Sequence, residues 1–185
     1  MIRIENRLAV WFEAIRPFSL TASVTPVLIG AAQASRSGQV VAWGLFPVFL
    51  LCAFLFHAAT NLISDHVDYK KSVDRIYTYG SSGVLVQRKL RPEEVKTAAY
   101  ALYAIGFLLG LFIVAERGWG LLLLGLAGMA GGYFYTVSPV GYKYRAFGDL
   151  GVFLFMGVLL VAGVFWALTG VISFSSFLVS LPISL

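Results

Sequence analysis

Five stretches, 18–35, 44–63, 97–115, 119–137 and 150–170, run nearly apolar for the length that a bilayer crossing requires. A spanning helix needs about 20 such residues. No soluble fold of this size buries so many long apolar runs. With 12% charged residues and a mean hydropathy of +0.83, the chain sits far below the roughly one-quarter charge of soluble domains. The expectation is an all-α, polytopic transmembrane helical bundle forming a single domain over 1–185. A sixth apolar run, VISFSSFLVSLPISL, starts at Val171, giving five to six spans.

The charges orient these spans. Arg3, Arg7 and Arg16 precede the first, Lys70, Lys71, Arg75, Arg88, Lys89, Arg91 and Lys96 separate the second from the third, and Lys143 and Arg145 separate the fourth from the fifth. Arg36 and Arg117 alone fall on the other side. The positive-inside rule places the N-terminus and both charged loops in the cytoplasm. The expected location is the cell inner (plasma) membrane, multi-pass, with the aspartate-rich loop cytoplasmic. A net charge of +5, spread over loops, sets topology and excludes a nucleic-acid partner. Cys52 is the only cysteine, so no intrachain disulfide forms. The N-terminal segment carries acids and no small-residue cleavage site, and does not read as a signal peptide.

Polar chemistry gathers in two loops on the basic side, about 64–96 and 138–149. Pro92, with Glu93 and Glu94 behind it, marks a helix start, since proline suits the first helical position and acids suit the first turn. The pairs Gly106/Gly110 and Gly128/Gly132 have the spacing of closely packed helices.

The second apolar run ends in NLISDHVDYKKSVDR, 61–75. If the helix continues past Thr60, Asn61, Asp65 and Asp68 share one face, at i, i+4 and i+7. Asp74 falls beyond it. Two carboxylates one turn apart beside an amide oxygen form a hard-oxygen set suited to Mg²⁺, which is typically shared with substrate phosphates. Lys70, Lys71 and Arg75 would offset the remaining phosphate charge. The alternative is a solvated, mixed-charge loop, but ionisable groups at the end of a spanning helix are costly without a role.

NLISDHVDYKKSVD resembles the first aspartate-rich motif of the UbiA superfamily of intramembrane prenyltransferases. It is most similar to the branch that prenylates 1,4-dihydroxy-2-naphthoate in menaquinone biosynthesis. Asn61, Asp65, Asp68, Tyr69 and Asp74 match that motif, while Ser64 stands for its usual Asn and Ser72 for its usual Gly. WFEAIRPFSLTASVTPVLIG (11–30), GSSGVLVQRKLRPEEV (80–95) and YTVSPVGYKYRAFGDLGVFLFMG (135–157) resemble further segments of the branch, in order along the chain. The family's second aspartate-rich motif is not found in these residues. The chain is therefore expected to be the N-terminal part of such an enzyme, and the 185 residues alone to be inactive or poorly stable.

The resemblance implies a prenyltransferase, a transferase of alkyl groups other than methyl. Mg²⁺ and basic groups would bind the diphosphate of a polyprenyl donor, and an electron-rich aromatic acceptor would attack the allylic carbon. The candidate metal ligands and catalytic residues are Asn61, Asp65 and Asp68. Candidates for substrate are Lys70, Lys71, Arg75, Tyr135, Tyr142, Lys143, Arg145 and Asp149. Bland roles compete: belt tyrosines at 135 and 142, a helix-capping Asp149, a packing histidine at 57, a surface histidine at 66 and a snorkelling Arg16. Alternatives are a prenyltransferase for 4-hydroxybenzoate, homogentisate, haem or a lipid ether, a non-catalytic binding protein, or a transporter-like subunit. A transporter would place its ionisable residues near the bilayer midplane. A CDP-alcohol phosphotransferase would need a different order of aspartates. A long prenyl tail would need an apolar tunnel, which composition does not reveal.

Overall fold

A computed structural model describes the backbone of residues 6–75, 78 and 80–184, and side chains through Pro182. Arg3 lies outside the described residues. Among them are seven helices and no strand. They are α1 (Arg7–Ala14), α2 (Thr21–Arg36), α3 (Leu45–Lys70), α4 (Pro92–Arg117), α5 (Trp119–Thr136), α6 (Gly148–Thr169) and α7 (Phe174–Ser184). By length and composition α3, α4 and α6 can each cross a membrane. The bent pair Arg7–Ala14 and Pro17–Arg36, angled at 44°, makes a fourth candidate. The run expected at 119–137 is helical as α5, an 18-residue helix that falls outside that group. The sixth run folds as the short α7.

The helices alternate in direction. Arg117 at the end of α4 donates from Nε to Ala167 O (2.8 Å) and from Nη2 to Leu168 O (3.1 Å). Ala42 N, just before α3, also donates to Leu168 O at 2.9 Å. A cation on the last carbonyls of α6 satisfies groups that a helix end leaves open. At the opposite, basic end, Lys89 Nζ donates to Glu13 Oε2 at 2.8 Å, joining α1 to the α3–α4 connection.

Three apolar clusters hold the bundle, one of them joining Cys52 of α3, Ile113 of α4, Leu121 of α5 and Ala167 of α6. Near the basic end, Val10 and Ala14 of α1 pack with Leu62 and Ile63 of α3, Val84, Leu85 and Leu90 of the connection, and Val95 and Ala99 of α4. Toward the other end, Val27, Ala31 and Ala34 of α2 meet Ala53 of α3 and Val164, Phe165 and Leu168 of α6. Small residues permit this approach, as expected where lipid gives helices no hydrophobic drive to associate.

α4 begins as its sequence predicts, with Pro92 first and Arg91 N donating to Glu94 Oε2 at 3.0 Å. α3 corrects one expectation. The first loop does not open at residue 64, because the helix carries the aspartates on to Lys70 and stops in a Schellman turn. There Val73 N donates to Asp68 O (2.9 Å) and Ser72 N to Tyr69 O (3.1 Å). Ser72 takes a left-handed φ of 56°, the conformation this cap requires and glycine adopts most readily.

Of the glycine pairs, Gly106 packs closely, since a Cβ there would lie 2.9 Å from Phe56 Cε1. Gly132 abuts Thr60 in the same way. Gly110 has open space where its Cβ would be, so close packing does not explain it.

Candidate functional site

The 100° turn per residue of α3 does place Asn61, Asp65 and Asp68 on one face, and all three are buried. Asp65 is 2% exposed. Its Oδ2 accepts from Ser82 Oγ and its Oδ1 forms an ion pair with Arg16 Nη2. Oδ1 receives no aligned hydrogen bond, and Arg16 Nε lacks a partner as well. Asp68, 1% exposed, accepts at Oδ2 from Lys143 Nζ (2.7 Å) and Ser64 Oγ (3.2 Å). Tyr144 OH donates to Asp68 Oδ1. Each carboxylate thus has one cation and one hydroxyl from distant segments. A buried charge needs such partners.

Backbone strain aims one of these cations. Arg16 sits at the break between α1 and α2 with φ 55°, a left-handed conformation rare for a side chain of its size. Its side chain is 11% exposed, so it does not snorkel. The reason is the Asp65 carboxylate, which draws the guanidinium inward.

Asn61 lines the cavity described next and commits its amide nitrogen to the helix break. Nδ2 donates to Ile15 O (3.0 Å) and Ser19 Oγ (2.9 Å), which fastens α3 to the break. His57 lies one turn earlier, with Ser23 Oγ 2.7 Å from Nδ1 and Ser19 Oγ 3.4 Å from Nε2. It is hydrogen-bonded, as a packing histidine would be, yet it also lines the cavity described next. His66 is not a surface residue: it is 4% exposed, and its Nδ1 lies 2.9 Å from Pro92 O.

A cavity of about 800 Å³ opens beside Asn61, Ser64 and Asp68, while Asp65, held by Arg16 and Ser82, does not line it. Arg16, Asp68, Asp74, Ser81, Tyr135 and Lys143 line its charged end. Phe49, Cys52, Ile113, Leu121, Leu124 and Leu159 line the other. Measured along α3 from Asp68 to Phe49, the two ends lie about 28 Å apart at 1.5 Å per residue. Gly110 and Gly125 face this cavity with nothing within 4 Å of a Cβ position. In α6 the stretch Val152–Val158 is π-helical and turns Val152, Phe155 and Met156 to the cavity. Such bulges often accompany functional sites.

The expected substrate residues divide. Tyr135, Tyr142 and Lys143 line the charged end. The Tyr135 and Tyr142 rings meet edge to face at 5.4 Å, and Tyr142 OH donates to Gly131 O at 2.7 Å. Burial, then the neighbouring Tyr135, pushes Tyr142 up to about 12. Tyr144 is raised further, by burial first and then by Asp68. Lys70, Lys71 and Arg75 do not line the cavity. Lys70 is two residues from Asp68 and so projects from the far side of α3, 3.8 Å from Glu93. Lys71 Nζ lies 4.0 Å over the Tyr144 ring, and Arg75 is exposed beyond the helix. Arg145 is exposed and donates to Pro139 O at 2.9 Å. Asp149 is exposed in the first turn of α6, where a negative charge suits the helix dipole.

Arg16, Ser82 and Tyr144 are site residues that spacing alone did not select. Ser81 Oγ donates to Asp74 Oδ2 at 2.7 Å. Gly80 (φ 86°) and Gly83 (φ 73°) flank both serines, and their left-handed backbone folds the connection back over α3. The GSSG stretch was the available signal.

Among the described residues, no three Asp, Glu, His or Cys side chains converge into a ready metal cage. Two buried carboxylates on one helical face do fit a cation that completes its shell with phosphate and water.

The sequence model of the UbiA prenyltransferase family matches residues 23–185. The chain is 36% identical over 181 residues to the 1,4-dihydroxy-2-naphthoate octaprenyltransferase of Bacillus subtilis (strain 168), covering 98% of this chain and 58% of that protein. It is 30% identical over 184 residues to UbiA prenyltransferase domain-containing protein 1 of Xenopus tropicalis, at 98% and 52% coverage. The Homo sapiens protein of that name is 29% identical over 183 residues, at 97% and 53%. The chain thus spans little more than half the length of these relatives.

Proposed function

The chain belongs to the UbiA prenyltransferase family, and we propose that it serves the Mg²⁺-dependent transfer of a polyprenyl group from its diphosphate to 1,4-dihydroxy-2-naphthoate. One observation carries this reading: a single cavity joins a cluster of paired charges to a long apolar arm. An amphiphile with an anionic head and a hydrocarbon tail matches both ends. The acceptor assignment draws on the Bacillus subtilis relative.

Asp65 and Asp68 would hold the ion, which when bound neutralises charge on the diphosphate. Arg16 and Lys143 then turn from the carboxylates to phosphate oxygens. They stabilise the charge that develops as the allylic C–O bond breaks and diphosphate leaves. Tyr135 and Tyr142 would turn ring faces toward the carbon becoming cationic. The acceptor ring forms the new C–C bond, and its carboxylate departs as CO₂. The tail lies along Phe49, Ile113, Leu121 and Leu124, and the polar end opens on the basic, cytoplasmic face of the membrane.

The test is prenylation of 1,4-dihydroxy-2-naphthoate by the purified protein, read by mass spectrometry, with binding of the polyprenyl diphosphate measured alongside. The reading expects Mg²⁺-dependent binding that Asp65→Asn and Asp68→Asn each reduce at least tenfold. Binding indifferent to Mg²⁺ and to both variants would overturn the class of reaction. Transfer to 4-hydroxybenzoate but not to the naphthoate would overturn the acceptor.

A further inference from the structure

A second groove, of about 340 Å³, opens on the outer side of α3, α4 and α5 at the basic end. It shares no lining residue with the large cavity. Lys70, Lys71 and Lys96 stand around it, together with Tyr100, Tyr133 and Ser138. Its floor is apolar, formed by Ile63, Val67 and Val137.

We propose that this groove binds the headgroup of an anionic phospholipid. The donors suit a phosphodiester. Ammonium groups supply charge, and the two phenols, with their oxygens 3.4 Å apart, supply neutral hydrogen bonds. Glu93 is the nearby acid, 3.8 Å from Lys70 Nζ and 3.9 Å from Lys96 Nζ, and it is 71% exposed. Such loose, solvated pairs hold a side chain weakly, so both lysines are free to turn to a better anion. Lys71 already rests on the Tyr144 ring and contributes charge at longer range.

The surface below the groove selects a lipid over a soluble anion. Tyr100, Ala104, Leu108 and Phe112 follow each other at i, i+4, i+8 and i+12 on α4, and all four are exposed. This apolar ridge runs from the groove toward the other membrane face and offers a track for acyl chains. Tyrosines at the level of lysines mark the headgroup zone. Basic pockets between spanning helices on the positive face hold anionic headgroups in this way.

The experiment is native mass spectrometry of the purified, delipidated chain, offered equal amounts of phosphatidylglycerol and phosphatidylcholine with the same acyl chains. The expected result is preferential retention of phosphatidylglycerol, falling roughly tenfold in the Lys70→Gln/Lys96→Gln double variant, since two lysines near a membrane surface each contribute. Arg36→Gln, at the opposite membrane end, should leave the preference intact. Lys70 is exposed and Lys96 half-buried, with only the solvated Glu93 paired to them, so the variant keeps its unfolding temperature, which serves as the folding control. Equal retention of the two lipids, or an unchanged preference in the double variant, overturns the proposal. Displacement of the lipid by millimolar inorganic phosphate also overturns it, because the groove would then be a general anion site.

Discussion

Replacing Lys143 by methionine removes the cation from a carboxylate that is 1% exposed and 2.7 Å away. Stranding one partner of a fully buried ion pair costs about 3–5 kcal/mol. Here Lys143 is itself 33% exposed, and Ser64 and Tyr144 still donate to Asp68. The expected loss is therefore smaller, about 2–3 kcal/mol. For a chain of this size each kcal/mol moves the unfolding midpoint by about 2–4 °C, so Lys143→Met should lower it by roughly 5–10 °C. Tryptophan fluorescence in detergent follows the transition. The double variant Lys143→Met/Asp68→Asn separates a lost pair from lost packing. With the charge gone from both positions, the amide still accepts from Tyr144, and stability should return to within about 1 kcal/mol of the parent, as coupled neighbours do. A midpoint in Lys143→Met within 2 °C of the parent, roughly the smallest resolvable step, would refute the reasoning. So would a double variant less stable than Lys143→Met alone.

Three further outcomes follow from the same geometry. Ser72→Gly places glycine in a left-handed cap and should stabilise the chain by about 1 kcal/mol, seen as a higher unfolding midpoint. Gly125→Leu fills open space in the apolar arm; it should leave folding intact and weaken binding of long-chain prenyl diphosphates at least tenfold relative to short-chain ones. Alkali should destabilise the fold through Tyr142 and Tyr144, because a tyrosine raised in the folded state contributes stability that is complete below its usual 10 and declines above it. For Tyr142 the decline runs from pH 10 to about 12. The midpoint should fall over that range, and Tyr142→Phe should flatten the dependence.

Local regularity explains what could be read from the sequence. Asn61, Asp65 and Asp68 share a face because helical spacing alone dictates it, and α4 starts at Pro92 because a missing N–H costs nothing there. Lys70 and Lys71 show where proximity in sequence misleads: rotation about α3 sends Lys70 away from the aspartates, toward Glu93. Arg16 escaped prediction because its role depends on one left-handed residue at a helix break, and an arginine before an apolar run ordinarily snorkels. Ser82 and Tyr144 reach Asp65 and Asp68 only after loops return to α3, a tertiary event that no periodicity encodes.

These long-range partners explain how α3 can carry two carboxylates at the end of an apolar helix. Each ionised group would be costly if unpaired in a membrane-embedded bundle. Arg16 arrives from the break before α2, Ser82 from the α3–α4 connection, and Lys143 and Tyr144 from the segment before α6. Neutralising the aspartates therefore requires the first, middle and later parts of the chain to be packed together. Assembly of the site and docking of the helices are one event. Occupation by a cation and an anionic ligand would not create buried charge but exchange its partners, with Asp65 and Asp68 passing to the metal as Arg16 and Lys143 pass to phosphate. On the proposed function, that exchange would keep the pocket close to neutral in both states, as a low-dielectric site holding strong charges requires.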